Sequence, residues 1–248
     1  MPATAGGALR DSGVKALARS GLALLALAAL SAAADPNNPT CPAEPDWGPA
    51  RAMTLTPQVT ADGTHVLIAE GIIDSTLPQR LKAELDKDTD GLIGEIWLRS
   101  RGGDAHAGNE AGKVIRSAFM TTRIPSGWTC FSACNFVFMG GEVRFVDPGG
   151  FFMVHMFTHT GDRETIQLAA EEGTAETVRL IADIEQASAL LASEDNDFLI
   201  RMGISRELLT DIMYKQQAVK SDENPTTRYC LSQEEVDRYN VVTEVTPS

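Results

Sequence analysis

Basic side chains are in short supply in this sequence: 21 Lys and Arg stand against 34 Asp and Glu, giving a formal charge of −13 over 248 residues. That deficit argues against nucleic acid or an anionic membrane surface as the main partner, because either would be repelled by the summed field. Cysteine is scarce too, and four cysteines are too few to replace a hydrophobic core with a disulfide scaffold. The C-x3-C spacing of Cys130 and Cys134 lacks a second close pair of Cys or His ligands, so no metal is expected there. His155 and His159 have the spacing of a zinc helix but lie in a strand-like run without the intervening Glu. A G-x-S-x-G elbow is missing, which argues against an α/β-hydrolase. The run from Gly108 through Gly112 to Lys113 is one residue short of a P-loop and lacks its Ser or Thr. No cofactor is expected. Internal repeats, heptads and low-complexity tracts are also missing.

What is present begins with an apolar fraction of 43%, ordinary for a chain that buries a core. Residues 1–34 read as a secretory signal peptide: Arg10, Lys15 and Arg19 precede the apolar run 21–30, and small residues follow at 31–34. The A-x-A pattern at Ala32 and Ala34 places cleavage before Asp35. The run is short for a membrane span, although an uncleaved anchor is the alternative. A periplasmic or secreted location follows, and removing this segment leaves the chain more acidic still. In an oxidising compartment Cys41, Cys130, Cys134 and Cys230 can all pair, with three connectivities open. Cys130 with Cys134 and Cys41 with Cys230 is the favoured pairing, since the close pair is near in space and the distant pair would tie a loose N-terminal stretch to the C-terminal region.

Residues 35–52, with Pro36, Pro39, Pro42, Pro45 and Pro49, read as an irregular leader. From Met53 onward the hydrophobic period switches repeatedly. Strands are predicted at 66–69, 93–98, 123–126 and 151–156, with helices at 75–86, 109–120, 133–139, 164–191 and 197–214. Strand and helix in alternation favour an α/β domain with parallel pairing.

Three segments carry candidate chemistry. Ser100-Arg101-Gly102-Gly103-Asp104 follows an apolar strand and precedes a helix, and its paired glycines leave backbone N–H groups open to an oxyanion. Ser132 lies between Cys130 and Cys134 where a strand end turns into an apolar helix, a position that suits a nucleophile and equally suits a helix cap. His155 interrupts the apolar run 151–157, where a lone histidine is more often a hydrogen-bonded core residue than a catalyst.

Together with Gly140-Gly141-Glu142-Val143-Arg144 and the C-terminal run from Tyr229 to Thr243, these segments resemble, in their order, the ClpP-like serine peptidases of the ClpP/crotonase superfamily. The resemblance implies an α/β fold of repeated β-β-α units with a mainly parallel sheet, as a single domain over 53–248. It implies Ser132 as nucleophile, His155 as general base in Met153-Val154-His155, and the N–H groups of Gly103 and Ala133 as oxyanion donors. The family's orienting aspartate falls two residues before the aromatic position matched by Tyr229, where this chain has Thr227 or Arg228. Asp222 and Glu223 lie in the same loop without matching the motif.

The expectation is therefore an exported serine hydrolase, a peptidase with a Ser-His dyad or incomplete triad acting on a peptide or protein, with self-association left open. An unfolding ATPase partner is not inferable. The alternatives are a catalytically inactive binding or scaffold protein and a crotonase-like enzyme acting on acyl-CoA, the last disfavoured by export and by the acidic charge.

Overall fold

The computed structural model describes residues 33–243, so all but the end of the predicted signal segment lies outside the described residues. Its first elements correct the expectation of an irregular leader. A short strand β1 (Ala34–Asp35) pairs antiparallel with β2 (Asn38–Pro42). Prolines remain compatible with this ribbon because it is an edge, where a missing N–H breaks no inner ladder.

The main body follows as β3 (Thr54–Val59), β4 (His65–Glu70), α1 (Leu77–Lys87), β5 (Glu95–Arg99), α2 (Ala105–Ser117), β6 (Thr121–Ile124), β7 (Thr129–Phe131), α3 (Ala133–Met139), β8 (Val143–Val146) and β9 (Phe151–Val154). The chain ends in α4 (Arg163–Glu172), α5 (Thr174–Met202), α6 (Glu207–Met213), β10 (Tyr229–Cys230) and α7 (Gln233–Arg238). A five-stranded sheet runs β3-β4-β5-β6-β8, antiparallel only between β3 and β4. A second sheet of three strands runs β10-β9-β7, with β7 and β9 parallel. The strand–strand–helix repeat is explicit in β6-β7-α3 and β8-β9-α4. In the earlier units the second strand shrinks to single bridges, Ile73 to Gly103 and Ser100 to Cys130. Helices supply the crossovers that parallel neighbours require.

In β5, Ile96 and Leu98 are fully buried while Glu95, Trp97 and Arg99 alternate on the other face, the period-two signature of a one-sided strand. The core gathers Leu67, Leu81, Ile115, Phe138, Phe152 and Tyr239; each such side chain contributes about 1.5–3 kcal/mol by leaving water. Helix α2 starts at Ala105, earlier than its apolar period suggests, because Asp104 caps it by accepting from the Ala107 N–H at 2.9 Å. The helix predicted over 164–191 breaks at Gly173, whose φ of 107° suits glycine, and α5 continues through the predicted gap to Met202. Among the described residues no helix is long and apolar enough to cross a membrane.

Gly108 and Gly112, which mimic a P-loop in the sequence, lie on the buried face of α2 against α3. A Cβ on Gly108 would come within 2.6 Å of the Ala133 carbonyl oxygen, and one on Gly112 within 2.3 Å of that of Phe136. Their role is close helix packing. Arg144, from the Gly-Gly-x-x-Arg run, is buried and donates to the carbonyls of Gly141 at 2.8 Å, Val241 at 2.8 Å and Asn240 at 3.0 Å, fastening the C-terminal segment to β8.

Candidate active site

Ser132 is the single residue between β7 and α3, and it takes φ 59° and ψ −126°, a conformation that an L-residue holds at a cost of roughly 1–3 kcal/mol. The surrounding backbone forces it. Ser100 N–H donates to the Thr129 carbonyl at 3.0 Å and Phe131 N–H donates to the Ser100 carbonyl at 3.0 Å, so the chain leaving β5 runs directly beside β7. The Ser100 hydroxyl, fully buried, accepts from Gly102 N–H at 3.0 Å and donates to the Gly71 carbonyl. This fixes the glycine loop against the turn. A Cβ on Gly102 would lie 2.6 Å from the Ser132 Cβ and 3.1 Å from the Ala133 nitrogen, so only glycine fits.

With Gly102 N–H committed to Ser100, the exposed Gly103 has no hydrogen bond from its N–H among the described residues, and neither does Ala133 at the first position of α3. Both predicted donors are therefore unspent, Ala133 next to Ser132 and Gly103 next to Gly102, and Ser132 makes no cap hydrogen bond to α3. The helix-cap alternative for this serine is not what the geometry provides.

His155 follows β9 and is half-buried, with its Nε2 2.7 Å from the Ser132 hydroxyl. Desolvation lowers its pKa from the ordinary value, the nearby Arg228 charge lowers it further, and an interaction with the Met156 backbone opposes both. The ring is thus held neutral near pH 7, with Nε2 able to accept the serine proton. Phe131 packs on the ring at 4.8 Å between centroids.

Asp222 and Glu223 are exposed, and no hydrogen bond or ion pair joins them, or any other carboxylate among the described residues, to His155. The loop that would carry the acid is instead pulled toward the leader. Asn38 Oδ1 accepts from the N–H groups of Thr227 at 2.9 Å and Arg228 at 2.7 Å, and Arg228 pairs with Asp35 at 3.3 Å.

All four cysteines are paired, Cys41 with Cys230 and Cys130 with Cys134, the second pair bracketing Ser132. No cluster of His, Cys, Asp and Glu suited to a metal occurs among the described residues. Sequence reasoning passed over Asn135 and Trp47. Asn135, a polar residue inside the apolar helix, is buried and donates to the Met153 carbonyl at 2.7 Å. Trp47, an aromatic in the proline-rich leader, stacks near Phe131 at 5.9 Å. In both cases the signal was a residue out of keeping with its neighbours.

No protein-family model matches the chain, and no curated protein matches it in sequence. Among solved structures it is similar to ClpP1 from Listeria monocytogenes, at 15% identity and a TM-score of 0.44 over 71% of this chain and 86% of that one. A point mutant of the same ClpP1 gives 18% and 0.46 over the same shares. A mutant of the 1510-N membrane-bound stomatin-specific protease gives 13% and 0.42 over 69% of this chain and 73% of that one.

Proposed function

We propose that this chain is an exported ClpP-like serine hydrolase acting on peptide bonds, with Ser132 as nucleophile and His155 as general base. The observation that carries the reading is the 2.7 Å contact between the Ser132 hydroxyl and His155 Nε2, at a strained turn followed directly by the unspent Ala133 N–H. Ser132 Oγ bonds to the substrate carbonyl carbon as its proton passes to Nε2, and the N–H groups of Gly103 and Ala133 hold the oxyanion. Collapse expels the amine, which takes the proton from His155, and water then releases the acyl group by the same route.

With no carboxylate bonded to the histidine among the described residues, turnover is expected to be slow, since losing that member of a triad costs on the order of 10⁴-fold in kcat. Covalent labelling is therefore the better test than turnover. A fluorophosphonate probe should modify Ser132 in folded, oxidised protein and fail on Ser132→Ala. Absence of labelling, or equal labelling of the variant, rejects the hydrolase reading.

The second reading, a catalytically inactive binding protein of the same fold, is favoured by Arg228 standing where a carboxylate would be expected, and unlabelled protein would select it. Export through the segment 1–34 and one folded domain after the leader belong to this proposal, supported by the two disulfides. So does self-association, supported by the exposed apolar side chains Ile166, Leu168, Val178, Ile181 and Leu190 on α4 and α5. Sedimentation velocity reads that state directly.

A further inference from the structure

Charge around the glycine loop is unevenly committed. Arg99 is fully engaged, by Glu70 at 2.6 Å and Asp46 at 2.7 Å. Arg228 is engaged by Asp35 at 3.3 Å, and the Asp35 carboxyl is held below the usual range chiefly by the Asn38 side chain. Thus Asp35, Asp46 and Glu70 at this edge are already spoken for. Arg101 is the exception: it is exposed, and no carboxylate lies within ion-pair distance of it among the described residues.

Arg101 does not hang free in solvent. Its guanidinium carbon lies 5.5 Å from the ring centre of Trp47, within the range of a cation–π contact. Trp47 stacks toward Phe131, and Phe131 toward His155, so an aromatic wall leads from Arg101 to the base. Arg101 also immediately precedes Gly102, whose absent Cβ leaves the room for Ser132. The residue that carries this uncompensated guanidinium is thus the sequence neighbour of Gly102, which packs on the nucleophile. The guanidinium's planar fork matches a carboxylate better than any other common peptide group.

Building on the hydrolase reading, we propose that Arg101 is a specificity-determining residue that binds a carboxylate of the substrate beside the scissile bond, so that acidic peptides are preferred. The carboxylate is supplied by an Asp or Glu side chain or by a free C-terminus; both present the same oxygens. The rest of the −13 chain repels such peptides at long range, and Arg228, which shares the Trp47 face at 5.9 Å, is already paired with Asp35, so Arg101 is the cation left to select a carboxylate.

The test uses full-length Ser132→Ala protein, whose binding of peptides is read by Trp fluorescence and calorimetry, so that it does not depend on catalysis. Matched peptides carry Glu or Gln in the chain, and each is made with a free or an amidated C-terminus. Glu or free-acid peptides should bind at least tenfold more tightly than their neutral partners, with the ratio falling as salt is raised. Adding Arg101→Met should bring the ratio to near one, and Arg101→Glu should invert it, while circular dichroism verifies that both variants fold. Whichever pair responds to Arg101 identifies the source of the carboxylate. A ratio near one before Arg101 is changed, or one that survives Arg101→Met, overturns the proposal. Fluorophosphonate labelling of the unaltered protein reports on the hydrolase reading separately, so the two ideas fail by different measurements.

Discussion

Asn135 donates its side-chain amide to the Met153 carbonyl at 2.7 Å, and that bond joins the helix immediately behind Ser132 to the strand immediately before His155. Because both ends are buried, it sets the separation of nucleophile and base more firmly than either surface loop does. Replacing Asn135 by Leu should cost about 1–3 kcal/mol in urea-induced unfolding, since the Met153 carbonyl is left unsatisfied. Labelling of Ser132 should slow more than probe affinity falls, because the dyad loses its alignment. Unchanged labelling kinetics in a folded Asn135→Leu protein would separate this bond from the site.

The pH dependence should follow first from the desolvation of His155 and, to a smaller degree, from Arg228. Its cation disfavours imidazolium, so it lowers the pKa of His155, and labelling needs the neutral ring. In Arg228→Gln that pKa rises, the more so as Asp35 loses its partner. The acid limb of the labelling rate therefore moves to higher pH, with the difference shrinking in high salt. A limb that stays in place or moves to lower pH contradicts this assignment.

Backbone strain at Ser132 gives a third expectation. Glycine adopts positive φ freely, whereas alanine does not. Ser132→Gly should be more stable than Ser132→Ala by about 1 kcal/mol in thermal or urea unfolding, although both lack the nucleophile. Equal stability would mean that the turn relaxes when the hydroxyl is removed.

Gly102→Ala should eliminate labelling. The added Cβ meets the Ser132 Cβ at 2.6 Å, on a residue whose φ is 87°. The displaced serine then loses its contact with His155, as a nuclear magnetic resonance titration of the imidazole would detect. By contrast Gly63→Ala, equally positive in φ but with open space around it, should cost stability only.

A half-buried carboxyl on α5 supplies a stability test. Desolvation, with the neighbouring Glu194 charge, raises Asp195 to about 7 from 3.8. Since the folded state favours the proton, ionisation opposes folding: the cost is nil below about pH 4 and complete above about pH 7. Asp195→Asn should therefore raise Tm at pH 8 and leave it nearly unchanged at pH 4.

The alternation of strand and helix was legible because period-two and helical patterns survive in a single chain, and α3 was readable to the residue from its apolar run 133–139. Ser132, His155 and the glycine loop were readable as types in a particular order. Their meeting was not, because it depends on Ser100 bridging to Cys130, a contact between strands that no local pattern encodes. The leader was misread for a related reason. Its prolines suppress any strand signal, while its order comes from Asn38 and Cys41 binding partners about 190 residues away. The acid partner stayed open for another reason: Asp222 and Glu223 are exposed, and nothing local distinguishes a carboxylate that turns toward a histidine from one that faces water.

The bond between Cys41 and Cys230 also has a consequence in time. During synthesis Cys41 precedes its partner by 189 residues, so nearly the whole core has been made before the leader can be locked. The bond therefore closes the chain into one long loop only after every strand of the five-stranded sheet has been made.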